Sequence, residues 1–190
     1  VLELETGTTE GVLAAIEEIG RRVHREQSAE TLAATVREGL EQVRARAAGL
    51  PRRRVLIVVG MDPLYVAGSG SYLDELLTIA GGENVAARTA APYQLLSMEA
   101  ALERLPEVIV DTSDNRAGAA RGRVLGDWQR WPFLPAVRQQ RVYFVDPTAL
   151  SIPGPRLPAM AELLARFVHP EVFGEAPPQA FAALGAAVGQ

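Results

Sequence analysis

Cysteine and lysine are both missing from this 190-residue sequence. Without cysteine there are no disulfides, thiolate metal sites or thiol nucleophiles, although that absence leaves the compartment open. Without lysine there is no P-loop lysine, and every basic side chain is arginine. Histidine occurs only at His24 and His169. Two distant single histidines do not make a zinc site, which takes three or four ligands, so both read as local caps or surface residues. No apolar run approaches the roughly 20 residues needed to span a bilayer, and no signal-peptide pattern is present. The chain starts at Val1 rather than Met. The expectation is therefore that an N-terminal part precedes it and carries any lipid-anchor cysteine. Motifs of the G-x-S-x-G and H-E-x-x-H kind are absent, and no catalytic constellation stands out.

What remains is ordinary for a globular domain: 48% hydrophobic and 22% charged residues, enough to bury a core. The net charge of −4 argues against nucleic acid as a partner, because such binders present a basic face.

The opening Val1-Leu2-Glu3-Leu4-Glu5 alternates as a short strand. Thr8 or Thr9 then caps a helix to about Val23, with Val12, Ile16, Ile19 and Val23 as its apolar stripe. Ser28 reads as the N-cap of a long helix to Ala48, with Leu32, Val36, Leu40 and Val43 at helical spacing. Charged residues fill its other faces, and Gly49 and Pro51 end it. Val55-Leu56-Ile57-Val58-Val59 is unbroken and apolar, the pattern of a parallel strand buried on both faces. A loop and a helix from Ser71 to Ala80 follow, with Asp74 completing a capping-box pattern and Gly81-Gly82 as the stop.

The alternation then repeats. Ser97 opens a helix through Leu105, and Val108-Ile109-Val110 is a second strand. A helical segment is expected over 116–127, and Val142-Tyr143-Phe144-Val145 is a third strand. Pro155 starts a last long helix, and a short Ala-rich helix is expected over 179–188. From residue 55 the order is β-α-β-α-β-α. This predicts an α/β fold, a three-layer lobe built on a parallel sheet, with a long spine helix beside it.

Several stretches carry a family resemblance in their order and spacing. They run from Arg54-Val55-Leu56-Ile57-Val58 through Pro63, Tyr65 and Ala67-Gly68-Ser69-Gly70-Ser71-Tyr72-Leu73 to Ala80-Gly81-Gly82-Glu83-Asn84-Val85. Next come Tyr93, Ser97, Glu99 and Pro106-Glu107-Val108-Ile109-Val110, then Trp131, Leu134-Pro135-Ala136-Val137 and Arg141-Val142-Tyr143. Gly154-Pro155-Arg156 and His169-Pro170-Glu171 bracket the last helix. The sequence resembles, over residues 1 to about 174, the cobalamin/ferric-siderophore/haem family of periplasmic binding proteins of ABC importers.

That resemblance implies two α/β lobes joined by a rigid helix, with the ligand between them. Residues 1–27 would be a remnant of the N-terminal lobe, which is otherwise missing, and 28–50 the connecting helix. Residues 51–174 would be the C-terminal lobe and 175–190 a tail. It implies a non-enzymatic protein, periplasmic or extracytoplasmic, that needs no cofactor. The ligand itself would carry iron or cobalt. The partners implied are a permease with its ATPase. An isolated piece of this kind is expected to expose apolar surface on residues 1–23 and one face of the long helix, and to self-associate or be partly disordered there.

The resemblance also implies roles for particular residues. Glu99, in Ser-x-Glu, matches the acidic residue that each lobe presents to arginines of the permease. Its plainer role is a first-turn carboxylate favoured by the helix dipole. Tyr65 and Tyr93 match loop aromatics that pack on the flat face of the ligand; ordinary loop packing is the alternative. Arg156 either pairs with a ligand oxygen or braces its loop, for example through Asp146. Trp131 reads as structural packing, and Trp128 stays open. Ala67-Gly68-Ser69-Gly70-Ser71 reads as a tight turn rather than a phosphate cradle. Asp111-Thr112-Ser113-Asp114 reads as a self-capped polar loop rather than a cation site. Two rival functions stand beside transport: a nucleotide-binding α/β enzyme domain, and a ligand-sensing module of the same fold.

Overall fold

A computed structural model describes residues 4–87, 91–113 and 127–176. Helix α1 (Thr9–Arg22) is followed by the long α2 (Glu26–Ala47). The lobe then runs β1 (Arg53–Met61), β2 (Leu64–Ala67), α3 (Tyr72–Ile79), β3 (Gly82–Asn84), β4 (Tyr93–Leu95), α4 (Met98–Glu103) and β5 (Val108–Asp111). It continues through α5 (Pro135–Arg138), β6 (Val142–Phe144), α6 (Pro147–Leu150), α7 (Leu157–Val168) and α8 (Pro170–Phe173). The strand proposed at the N-terminus falls partly on residues 1–3, outside the described residues. The helices expected over 116–127 and 179–188, and Asp114, lie outside them as well.

β1 is the central strand because it is the longest apolar run, and Val55 to Val58 are completely buried. Its side chains alternate between two cores. Val55 and Ile57 face a layer formed by α2, α3 and α7, while Leu56 and Val58 face Ala101 of α4, Trp128, Leu134 and Ala136. The predicted three-layer α/β lobe is therefore observed.

The sheet is mixed rather than wholly parallel. Its order is β4-β2-β1-β5-β6, with β3 also on β1. β1 pairs in parallel with β5 on one edge. Its other edge takes β3 in parallel at Arg53–Val55 and β2 antiparallel at Val58–Met61. β4 extends β2 antiparallel. The segment read as a loop after β1 is thus a hairpin return.

Several helix limits differ from expectation. α1 is capped by Thr8, whose side chain accepts from the Gly11 N–H. Ile19 and Val23 are exposed, and the buried face is Val12, Leu13, Ala15 and Gly20, because α1 packs on α2 through small residues. A Cβ at Gly20 would stand 2.2 Å from the Ala29 Cβ. Ser28 is not a cap: α2 begins at Glu26 after Arg25, which makes no side-chain cap bond, and Ser28 lies inside the first turn. Leu32 is exposed, and Ala29 and Ala33 carry the contact instead. The last long helix starts at Leu157, with Pro158 rather than Pro155 in its first turn. His169, expected as a local cap or at the surface, is at the C-cap of α7 and the N-cap of α8, and is fully buried there. One of its ring nitrogens faces the Gly81 carbonyl at 3.3 Å and the other the Glu171 carboxylate at 3.4 Å.

Candidate functional site: an aromatic concavity at the open end of the sheet

Parallel strands of α/β sheets place ligands beyond their C-terminal ends. There the lobe has an open concavity of about 480 Å³. Its floor is Val59 near the end of β1 and Thr112 just past β5. One wall is Tyr65 of β2, Tyr93 of β4, and Tyr72 and Leu73 of α3. Ser151 and Pro153, and Thr6 and Gly7 ahead of α1, complete the lining.

The strand pairing explains why the aromatics converge. Tyr65 sits opposite Leu95 and Tyr93 opposite Ala67, so both tyrosines lie on the cavity face of the β2–β4 ribbon,. Their rings stack with centroids 6.5 Å apart and planes 26° apart. Tyr65 remains 38% exposed, so its ring is available to a ligand. Tyr72 is anchored by its hydroxyl, which donates to the Leu150 carbonyl. Burial pushes the Tyr72 phenol far above its ordinary pKa, with the Tyr93 hydroxyl adding to the effect. Burial likewise raises the Tyr93 phenol. Both therefore stay neutral across the physiological range, as hydrogen-bonding groups rather than phenolates.

The structure thus brings Tyr65 and Tyr93 into one concavity. It does not bring Arg156 there. Arg156 is half-buried at the N-cap position of α7, outside the described lining, and the same loop contributes Ser151 and Pro153 instead. Glu99 lies apart from the cavity, exposed in the first turn of α4, where Ser97 caps the helix by accepting from the Ala100 N–H.

Tyr72, Leu73, Thr112 and Ser151 were not singled out from the sequence. The one signal for Tyr72 was an aromatic residue directly after the Ser71 cap.

The remaining polar features are structural. Ser71 is fully buried; its hydroxyl donates to the Gly68 carbonyl at 2.8 Å and accepts from the Asp74 N–H. The glycine-rich segment is thus held as a tight turn, by the Ser71 hydroxyl and by the Gly68 N–H, which donates to the Pro92 carbonyl at 2.8 Å. Asp74 does not complete a capping box in the described hydrogen bonds; it accepts from the Asn84 amide at 2.9 Å. Asp111 accepts from the Ser113 N–H and hydroxyl and from the Trp128 indole N–H. Thr112 donates to the Val58 carbonyl. This is the self-capped loop that the sequence suggested. Trp128 is the deeply buried structural tryptophan, with half-buried Trp131 against it at 5.5 Å. Among the described residues no cluster of three or more His, Cys, Asp or Glu could hold a metal ion. No described helix is long and apolar enough to cross a membrane.

An α/β lobe with an aromatic concavity past its strand ends has the architecture of a ligand-binding lobe,. The chain belongs to the periplasmic binding protein family, whose model matches residues 1–149. That family is one of extracytoplasmic binding proteins rather than enzymes. Over 168 residues the chain is 30% identical to an uncharacterized ABC transporter substrate-binding lipoprotein of Bacillus subtilis, covering 86% of this chain and 52% of that protein. Over 164 residues it is 28% identical to the vitamin B12-binding protein of Vibrio parahaemolyticus, covering 85% of this chain and 58% of that one. The solved structure of the periplasmic heme-binding protein RhuT from Roseiflexus superposes with a TM-score of 0.72 at 25% identity, covering 85% of this chain and 63% of that chain. The chain therefore spans little more than half the length of the curated relatives it matches.

Proposed function

We propose that this chain is the C-terminal lobe and connecting helix of the substrate-binding component of an ABC importer. In this reading α2 is the spine, residues 1–27 belong to the N-terminal lobe, and the concavity is one wall of the ligand cleft. The ligand is a large metal-bearing molecule of the cobalamin, haem or ferric-siderophore class, delivered to a permease and its ATPase. The observation that carries this is the pair Tyr65 and Tyr93, stacked side by side at the rim of a concavity past the strand ends. Two aromatic faces with hydroxyl tips suit a broad, flat or chelated ligand. Arg156 is left out of the contact set because it lies outside the described lining.

The test is a visible-absorbance titration of the full-length protein with haem, cyanocobalamin and ferric siderophores. One of them is expected to saturate at one equivalent. Tyr65→Ala or Tyr93→Ala should each remove about 1.5–3 kcal/mol of aromatic burial, which is roughly 10- to 100-fold in Kd. Flat titrations with all three ligand types would remove this reading.

Glu99 is the proposed permease contact: an exposed carboxylate whose charge-assisted pairing with arginine gives reversible, salt-sensitive docking,. Glu99→Arg is expected to leave the Kd for ligand unchanged while reducing uptake through the reconstituted importer by tenfold or more, an estimate on the order of one charge pair. Normal uptake by that variant would reduce Glu99 to a first-turn helix charge.

A further inference from the structure

Thr6 and Gly7 form one side of the cavity, yet they precede α1 and belong to no regular element. Something must hold them at a fixed distance from α3. Part of the answer is local. Thr8 accepts from the Gly11 N–H, and the turn folds so tightly that a Cβ at Gly11 would stand 2.3 Å from the Glu5 carbonyl oxygen. These contacts shape the segment but do not tie it to the lobe.

The tie comes from α3. Oε2 of Glu75 accepts from the Thr9 N–H at 2.7 Å and from the Thr9 hydroxyl at 2.6 Å. The Thr9 N–H is among the first-turn donors that α1 cannot satisfy itself, and the carboxylate also meets the positive end of the helix dipole. Glu75 lies one turn beyond Tyr72, so the same short helix carries both the latch and a cavity wall. The other polar ties of α1, from Arg37 to Glu10 and Glu17, are exposed and run to α2. They do not set the spacing between Thr6–Gly7 and α3.

We propose that Glu75 is a positioning residue for the ligand site. Its latch on Thr9 fixes the Thr6–Gly7 side of the cavity against the Tyr72–Leu73 side, and thereby sets how fast the ligand leaves. This rests on the binding reading above.

The experiment uses the full-length protein and four variants: Glu75→Gln, Thr9→Val, the two combined, and Thr9→Ser. Amide hydrogen exchange is read over residues 6–11, and dissociation of haem and of cyanocobalamin by stopped-flow absorbance. Glu75→Gln and Thr9→Val are each expected to speed exchange over 6–11 and to raise the dissociation rate about tenfold, the scale of one hydrogen bond to a charged group. The combined variant, which loses the charge and the hydroxyl but keeps the Thr9 N–H as a donor to the amide oxygen, should show less than the product of the two single effects, because both act on one contact,. Thr9→Ser keeps both donors and should dissociate like the wild type. Faster exchange with unchanged dissociation overturns the proposal, since the latch would then be structural only. Unchanged exchange over 6–11, or Thr9→Ser behaving like Thr9→Val, overturns it too. A flat wild-type titration with every probe removes the binding reading itself and this inference with it, and is recognised before any variant is compared.

Discussion

Trp128→Ala is expected to lower the stability of this protein by about 3–5 kcal/mol, the usual cost of emptying a large aromatic site. For a chain of this size that is a fall in Tm of roughly 6–20 °C. Two effects add. The indole is 1% exposed and fills the core between the sheet and α4, so its loss leaves a cavity. Its N–H also donates to Oδ2 of Asp111 at 2.9 Å. Asp111 is itself 1% exposed, and a buried carboxylate that loses a donor keeps its full desolvation cost. Trp128→Phe separates the two: it keeps most of the volume and removes only the donor, for an expected loss of about 1–3 kcal/mol. Urea unfolding of both variants checks this. A loss in Trp128→Phe near zero would mean that the hydrogen bond carries nothing, and equal losses that the lost volume carries nothing. Because Asp111 neighbours Thr112 in the cavity floor, Trp128→Phe should also loosen that floor.

Gly81→Val is expected to cost about 2–5 kcal/mol, from two sources at one residue. Gly81 ends α3 with φ at +79°, a conformation that a β-branched residue adopts only with strain,. Space is lacking as well: a Cβ there would stand 2.8 Å from the His169 Nε2 and 3.2 Å from the Ala47 Cβ. The helix stop is therefore also the point where α3, the end of α2 and the α7–α8 junction meet. Introducing the substitution into a His169→Ala background should shrink the penalty by the share of the His169 clash and leave the backbone share, about 1–2 kcal/mol, with what the Ala47 contact adds,. A penalty unchanged in that background would place all of it in the backbone and the Ala47 contact.

Local pattern accounts for much of this architecture. The run Val55–Val58 announced a strand buried on both faces. Ser71 and Ser97 announced their helices because a capping hydroxyl needs only the next turn. The failures share a cause. β2 and β4 are four and three residues long, too short for an alternation to stand out, and their pairing depends on partners far along the chain. Ser28 resembled a cap but sits inside a helix whose start at Glu26 is set by how α1 turns back onto α2. His169 read as a cap or a surface residue; it is at a cap position, but its burial was not legible because nothing near it in sequence reveals that Gly81, 88 positions away, faces its ring.

The candidate site divides in the same way. Tyr65 and Tyr93 could be nominated as isolated aromatics in connecting segments. Their stacking follows from the antiparallel ribbon, and Tyr72 joins them only because α3 folds back beside it. Arg156, nominated on equal terms, stands outside the described lining, to which the segment before α7 contributes Ser151 and Pro153.

By itself, then, the sequence determined the α/β class, the long helix ahead of the lobe and the family, since each is written in spacing along the chain. Which residues share the cavity, which tryptophan is buried and which carboxylate holds α1 were decided by tertiary structure alone. Each is a contact between groups far apart in sequence, such as Glu75 and Thr9 at 66 positions, and no local periodicity encodes such a meeting.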